Sequence, residues 1–301
     1  MKIAAAGASG FLGEPLVERL LARGHDVVVL SRNPAKVKRG RGVQWDARGA
    51  DGAWTEEVAS ADVVINLAGE NVGAGRWTEA RKRRMVASRV DGTRALVTAM
   101  QRNPAKRRTF IAASAVGYYG FSRGDELFDE RGSRGSGFLA ELVEQWEAAA
   151  RPAESISRLA VLRFGVALAC DGGALAKMML PFRFGAGGPV GNGQQWLSWI
   201  HREDALRAIE WAIASDTVRG VYNITAPEPV RNRDFAHALG RAMRRPSFMP
   251  TPAFALKAAF GEMASEVLLG GQRAVPKRAL AEGFAFEYPT LELAFQHLIR
   301  R

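Results

Sequence analysis

The chain has 301 residues, 47% of them hydrophobic, and carries 42 Lys and Arg against 31 Asp and Glu for a formal charge of +11. That is enough apolar material for one large α/β domain and a smaller lobe, and it excludes a disordered chain. One cysteine, Cys170, excludes a disulfide framework and a metal cluster, and no stretch reaches the ~18 uncharged residues of a spanning helix, so composition predicts a soluble cytoplasmic protein with no membrane partner. The basic residues are dispersed, with local runs at 81–84, 106–108 and 241–245 and no basic tail, so no nucleic-acid partner is expected.

The opening run Lys2 to Ala6 has the length of a buried parallel strand. Gly7-Ala8-Ser9-Gly10-Phe11-Leu12-Gly13 follows at once, and behind it Leu16, Val17, Leu20 and Leu21 recur at helical spacing as far as Gly24. Residues 27–30 form a second buried strand that ends at Ser31-Arg32. Strand, three glycines, helix and strand in that order predict a dinucleotide site. A pyrophosphate needs backbone N–H donors at close range, a Cβ would obstruct it, and the helix N-terminus adds partial positive charge. Gly7, Ser9, Gly10, Phe11, Leu12 and Gly13 are therefore candidate cofactor contacts; the glycine spacing alone would also suit a tight turn with no nucleotide. At the end of the second strand an NAD site normally places Asp or Glu for the ribose 2′-OH. Here a hydroxyl and a guanidinium, Ser31 and Arg32, suit a 2′-phosphate, so NADP(H) is favoured; a solvated loop arginine is the alternative.

Residues 43–46 and 61–66 read as the third and fourth strands. Ligands of a doubly wound sheet lie beyond the carboxyl ends of its strands, so Asp46, Asn66, Leu67 and Ala68 should line the adenosine side of the cleft. Residues 77–100 form a long amphipathic helix carrying Arg84 and Arg89, the second close enough to the core positions to reach back to a cofactor. The fifth strand, 109–113, runs into Ser114, Gly117, Tyr118, Tyr119 and Gly120, where a reaction centre would lie; a glycine-flanked turn with tyrosines covering the sheet edge reads equally well. A helix at 137–150 and a sixth strand at 158–166 follow, the strand containing Arg163.

Beyond this point the alternation loosens. Residues 172–180 read as a helix ended by Pro181, and 182–193 as a glycine-rich loop able to close over a ligand. A strand at 196–200 precedes a helix at 201–214, whose His201 and Asp204 suit a helix start better than an acid/base pair. A strand at 221–224 completes the main sheet. Helices follow at 233–244, from Thr251-Pro252 to 260, at 262–269, 276–281 and 290–299, with a strand-like alternation at 284–288. The expected architecture is α/β: a Rossmann-type doubly wound parallel sheet over 1–226, with 167–200 contributing to the substrate lobe, and a smaller C-terminal α+β lobe over 227–301.

The glycine turn, Asn66-Leu-Ala-Gly-Glu-Asn71, Arg76-Trp77, Ser88-Arg89, Ser114-Ala-Val-Gly-Tyr-Tyr-Gly120, Gly172-Gly-Ala-Leu175 and Trp199-Ile-His201 together resemble the atypical extended short-chain dehydrogenase/reductases. More narrowly, Gly261-Glu-Met-Ala264, Leu268-Leu-Gly-Gly-Gln-Arg273, Pro276 and Gly283-Phe284 resemble the small C-terminal domain, of unassigned function, that closes the nucleoside-diphosphate-sugar epimerase-like subfamily. The resemblance covers nearly the whole chain. It implies a Rossmann sheet and NADP(H), with Ser31, Arg32, Leu67, Ala68, Arg84, Arg89 and the strand-end region from Arg163 to Ala167 as cofactor neighbours. The chain departs from the superfamily at its helical Tyr-x-x-x-Lys, where it reads Gly137-Phe138-Leu-Ala-Glu-Leu142. Phe138 and Leu142 cannot move a proton or hold a ribose. Tyr119 and Arg123 have the right spacing, but Gly120 interrupts any helix between them. That leaves Ser114 with Tyr118 or Tyr119 as catalytic candidates, and Lys177 or His201 as remote ones. The expected activity is an NADP(H)-dependent oxidoreductase or epimerase-like reaction on an unidentified small molecule, in a chain free to form oligomers. The alternative is a non-catalytic NADP(H)-binding regulator whose occupancy governs a partner interaction.

Overall fold

The computed structural model describes residues 1–47, 49 and 51–299. At its centre lies a seven-stranded sheet in which every neighbouring pair is parallel. In chain order the strands are β1 (Lys2–Ala6), β2 (Asp26–Ser31), β3 (Arg41–Gln44), β4 (Val63–Asn66), β5 (Thr109–Ala115), β6 (Arg158–Phe164) and β7 (Gly220–Ile224). In space they run β3-β2-β1-β4-β5-β6-β7. The winding direction therefore reverses between β1 and β4, and a crevice opens there beyond the strand ends.

Strand alternation explains why both faces are apolar. Ile3, Ala5, Val27, Val29 and Ile65 point to one layer, where α1 (Gly13–Ala22) contributes Leu16, Val17 and Leu20. Ala4, Ala6, Val28, Leu30 and Val64 point to the other, against α2 (Trp54–Ser60) and α3 (Glu79–Gln101). Successive side chains leave a strand on opposite faces, so a sheet covered on both sides needs unbroken apolar runs. Three more helices complete this part: α4 (Phe138–Ala150), α5 (Gly173–Arg183) and α6 (Arg202–Ala214).

The remaining helices are α7 (Asn232–Met243), α8 (Ala253–Phe260), α9 (Lys277–Ala281) and α10 (Leu291–Ile299). They do not build a core of their own. Phe235, Leu239, Leu291 and Phe295 pack with Leu168, Leu175, Phe182 and Trp199, while Ala279 and Phe284 enter the α1 side of the main core.

Four local expectations change. The strand predicted over 158–166 divides at Gly165, where a Cβ would lie 2.5 Å from the Ser198 carbonyl oxygen; Val166–Ala169 then pairs with Trp199–His201 in a separate parallel ribbon. Pro181 does not end α5, which continues to Arg183; a proline there removes one N–H from a helix within two residues of its end. Residues 284–288 are not a strand. Phe284 is buried, and the amides of Glu287 and Tyr288 donate to the Asp204 carboxylate at 2.8 and 2.9 Å, so a side chain takes the bonds a ladder would use. Ser122–Phe128 is a strand that hydropathy did not mark, because most of it is exposed and its partner, Gly271–Ala274, is remote in sequence. At the start of α6, His201 Nδ1 accepts a hydrogen bond from the Glu203 amide at 3.0 Å, so His201 is the helix cap.

Candidate functional site

The crevice between β1 and β4 is a cleft of about 1200 Å³, walled by the ends of β1, β2 and β4, by Val166 and Ala167, and by the start of α5. Its floor is the glycine turn. Gly7 has φ +72°, and a Cβ there would lie 2.5 Å from the Ala68 nitrogen, so only glycine lets β1 turn this close to the end of β4. Gly13 seats α1 on Ala8, where a Cβ would sit 2.4 Å from the Ala8 Cα. No side chain caps the N-terminus of α1, so its partial positive charge remains directed at the cleft.

Of the residues singled out for a cofactor, Gly7, Ser9, Gly10, Phe11, Leu12, Gly13, Ser31, Arg32, Asp46, Leu67, Ala68, Arg84 and Ala167 all line this cleft. Asn66, Arg89 and Arg163 lie behind its wall. Asn66 is buried; its side chain accepts from the Ala68 amide at 3.1 Å and donates to Thr93 at 2.8 Å, which fixes the turn after β4. The Arg89 guanidinium lies under Gly69, donates to the Glu70 carbonyl at 3.0 Å and stands 5.2 Å from the Trp146 ring. Burial lowers its pKa to about 10. Both residues shape the cleft from beneath.

Cations gather at the end of β2. Lys38 pairs with Glu14 at 2.8 Å and Arg39 with Glu18 at 3.1 Å. The exposed side chains of Arg32 and Lys36 make no hydrogen bond or ion pair with a described residue, and both line the cleft. Lys36, Lys38 and Arg39 were missed from sequence. The available signal was their run behind Arg32, at the strand end where dinucleotide sites of this architecture hold the ribose.

Beyond the other end of the cleft lie Ser114, Tyr119 and Arg163. Ala113 contributes to the wall, but Ser114 is buried behind it, with its Oγ 2.5 Å from Glu147. Arg163 donates to both Glu147 oxygens at 2.7 Å and to the Tyr119 hydroxyl at 3.0 Å. Tyr119 is fully buried, its hydroxyl within 2.9 Å of the Asp129 carbonyl oxygen and 2.8 Å of Asn223, and burial raises its pKa to about 12. Ser114, Tyr119 and Arg163 thus brace β5, β6 and β7 against α4; closed in by partners, their polar atoms are not presented to a substrate. Tyr118 differs. It is half-buried, its ring lies 3.5 Å from the Arg163 guanidinium, and its hydroxyl makes no hydrogen bond with a described residue. Glu147, the hub of the brace, was missed; its signal was its place on the apolar face of α4, four residues after Val143 and next to Trp146, where Glu141 and Glu144 lie on the exposed face.

Replacing Tyr119 by Phe is expected to cost about 1–3 kcal/mol, because Arg163 and Asn223 lose a buried partner. Chemical denaturation measures this, and a neutral effect would mean that water substitutes for the phenol.

Lys177 is distant from this brace, donating to the Gly73 carbonyl at 3.3 Å. Where the superfamily pattern has tyrosine and lysine, Phe138 packs edge-on to Trp77 at 5.2 Å, and Leu142 is buried beside Met85 and Met263.

A model of the NAD dependent epimerase/dehydratase family matches residues 3–135, and one described as a domain of unknown function, DUF1731, matches residues 251–298. The epimerase family protein YfhF of Bacillus subtilis is 41% identical over 99% of this chain and 98% of its own length. This chain belongs to that epimerase family. Its human relative SDR39U1 is 36% identical over 99% of this chain and all of its own. The crystal structure of human SDR39U1 isoform 2 with NADPH covers both chains completely, with a TM-score of 0.90. In this member of the epimerase family the matched C-terminal segment supplies Glu266, whose carboxylate accepts from the amides of Phe138 and Leu139 at 2.8 and 2.9 Å and so caps α4. Burial raises the pKa of that carboxyl group.

Proposed function

We propose that this chain binds NADP(H) in the crevice and acts in the cytoplasm as an NADP(H)-dependent oxidoreductase or epimerase-like enzyme on a small carbonyl or carbinol compound. The observation that carries the reading is the pair Arg32 and Lys36, two uncompensated cations at the strand end where an NAD site has an acid. The NADPH in the structure of human SDR39U1 supports it. The α1 N-terminus and the turn at Ser9 and Gly10 would hold the pyrophosphate, Arg32, Lys36 and Ser31 the 2′-phosphate, and Ala113, Val166 and Ala167 the nicotinamide end. Bound NADPH would supply the hydride. With Ser114 and Tyr119 enclosed, the proton would pass through Tyr118, which stands against Arg163 and is not itself among the residues lining the cleft but whose hydroxyl bonds no described residue. The assay is nicotinamide absorbance across a panel of carbonyl compounds and sugar nucleotides, with Tyr118→Phe expected to lower turnover and leave NADPH affinity unchanged.

A second reading, a non-catalytic NADP(H) sensor, is favoured by Phe138 and Leu142 at the positions of the superfamily's tyrosine and lysine. Tight NADPH binding with no turnover on any compound, together with a partner whose affinity follows NADP(H), would select it.

A further inference from the structure

The least expected surface lies away from the cleft floor. Phe184, Phe254 and Phe248 are 80%, 77% and 73% exposed, with Leu180 and Met249 about half exposed. The helix α8, Ala-Phe-Ala-Leu-Lys-Ala-Ala-Phe, has no buried residue although all but one of its side chains are apolar. These residues belong to two segments that run side by side: the Met249 amide donates to the Gly187 carbonyl at 3.1 Å, Thr251 to Pro189 at 2.9 Å and Gly191 back to Thr251 at 2.9 Å. The surface adjoins the rim of the cleft, because Arg76, in the loop after cleft-lining Asn71, donates to the Ala258 carbonyl at 3.3 Å.

Charge identifies the occupant. Neither 172–202 nor 235–261 contains an Asp or Glu, and Arg183, Arg241, Arg244, Arg245 and Lys257 make no ion pair with a described residue. A second copy of the chain docked face to face would set these cations against themselves. The aliphatic members, Leu180, Met249 and the alanines of α8, offer no stacking platform for bases. Exposed phenylalanines among uncompensated cations match a bilayer surface of anionic lipid, where the rings enter the boundary between headgroup and acyl chain and the cations meet phosphates.

We propose that this face docks on anionic membranes as a peripheral contact. It is a surface contact because no helix among the described residues is long and apolar enough to cross a bilayer. The proposal departs from the expectation of no membrane partner, which rested on the lack of a spanning segment and on basic residues dispersed along the chain; a face assembled from two segments remote in sequence leaves no mark on either.

Sedimentation with phosphatidylcholine vesicles, with and without phosphatidylglycerol, tests the proposal. Binding is expected to need phosphatidylglycerol and to weaken with salt. It should fall on the order of tenfold in a variant combining F184S, F248S and F254S, whose melting temperature stays unchanged because the replaced rings are exposed. Charge reversal by R244E with R245E is expected to remove the salt-dependent part. The proposal is overturned if the folded chain ignores anionic vesicles or if the triple serine variant binds them equally well. It is also overturned if the triple serine variant abolishes self-association, or nucleic-acid retention, in a chain that does not bind vesicles.

Discussion

Replacing Arg32 by Glu is expected to weaken NADPH binding by about 3 kcal/mol, roughly 100-fold, while affinity for NADH stays the same or rises. Two effects add. A charge-assisted bond to the 2′-phosphate is lost, and a carboxylate is placed where that phosphate would lie. The nearby cations do not compensate equally. Lys38 and Arg39 already face Glu14 and Glu18, whereas Lys36 is uncompensated, so Lys36→Glu should give a smaller loss of the same kind. Calorimetric titration of both dinucleotides against both variants measures the effect, and raising salt should narrow the difference because these groups are exposed. An unchanged ratio of NADPH to NADH affinity in Arg32→Glu would remove the specificity argument.

The second large effect concerns stability. Removing the Glu147 carboxylate by substitution to Ala should destabilise the chain by about 3–5 kcal/mol, because Arg163 would be left as a buried charge without its partner. Both side chains are about 5% exposed and joined by two bonds of 2.7 Å. Burial by itself would lower the pKa of Arg163, but the bonds to Glu147 outweigh it and the net direction is upward. The guanidinium therefore remains charged at any pH the fold survives and cannot escape the penalty by losing its proton. The expected fall in melting temperature is about 10 °C. Replacing both partners with apolar residues of similar volume should recover much of it, since the cost lies in the unpaired charge. Equal losses in the single and double variants would show that packing, and not charge, holds this layer together.

How far the sequence reached follows from which interactions are local. The glycine turn, β1, α1 and β2 were legible because a short apolar run, three glycines and a helical stripe are encoded within about thirty consecutive positions, and backbone geometry allows few arrangements of them. The polar end of β2 was legible for the same reason: Ser31 closes that strand and Arg32 directly follows it. The buried brace was not. Ser114, Tyr119, Glu147, Arg163 and Asn223 are spread over more than a hundred residues, and only the pairing of β5, β6 and β7 brings them together.

By itself the sequence determined the parallel α/β architecture, the glycine turn that floors the cleft and the exposed cations that follow β2. Tertiary structure alone decided that Ser114 and Tyr119 are enclosed while the Tyr118 hydroxyl bonds no described residue, that residues 284–288 run along Asp204 and not in a ladder, and that no described residue buries α8 beside the loop at 187–191. The reason is common to all three. Whether a polar group reacts or braces, and whether an apolar helix is core or surface, depends on which distant segment covers it, and spacing along the chain carries no record of that cover.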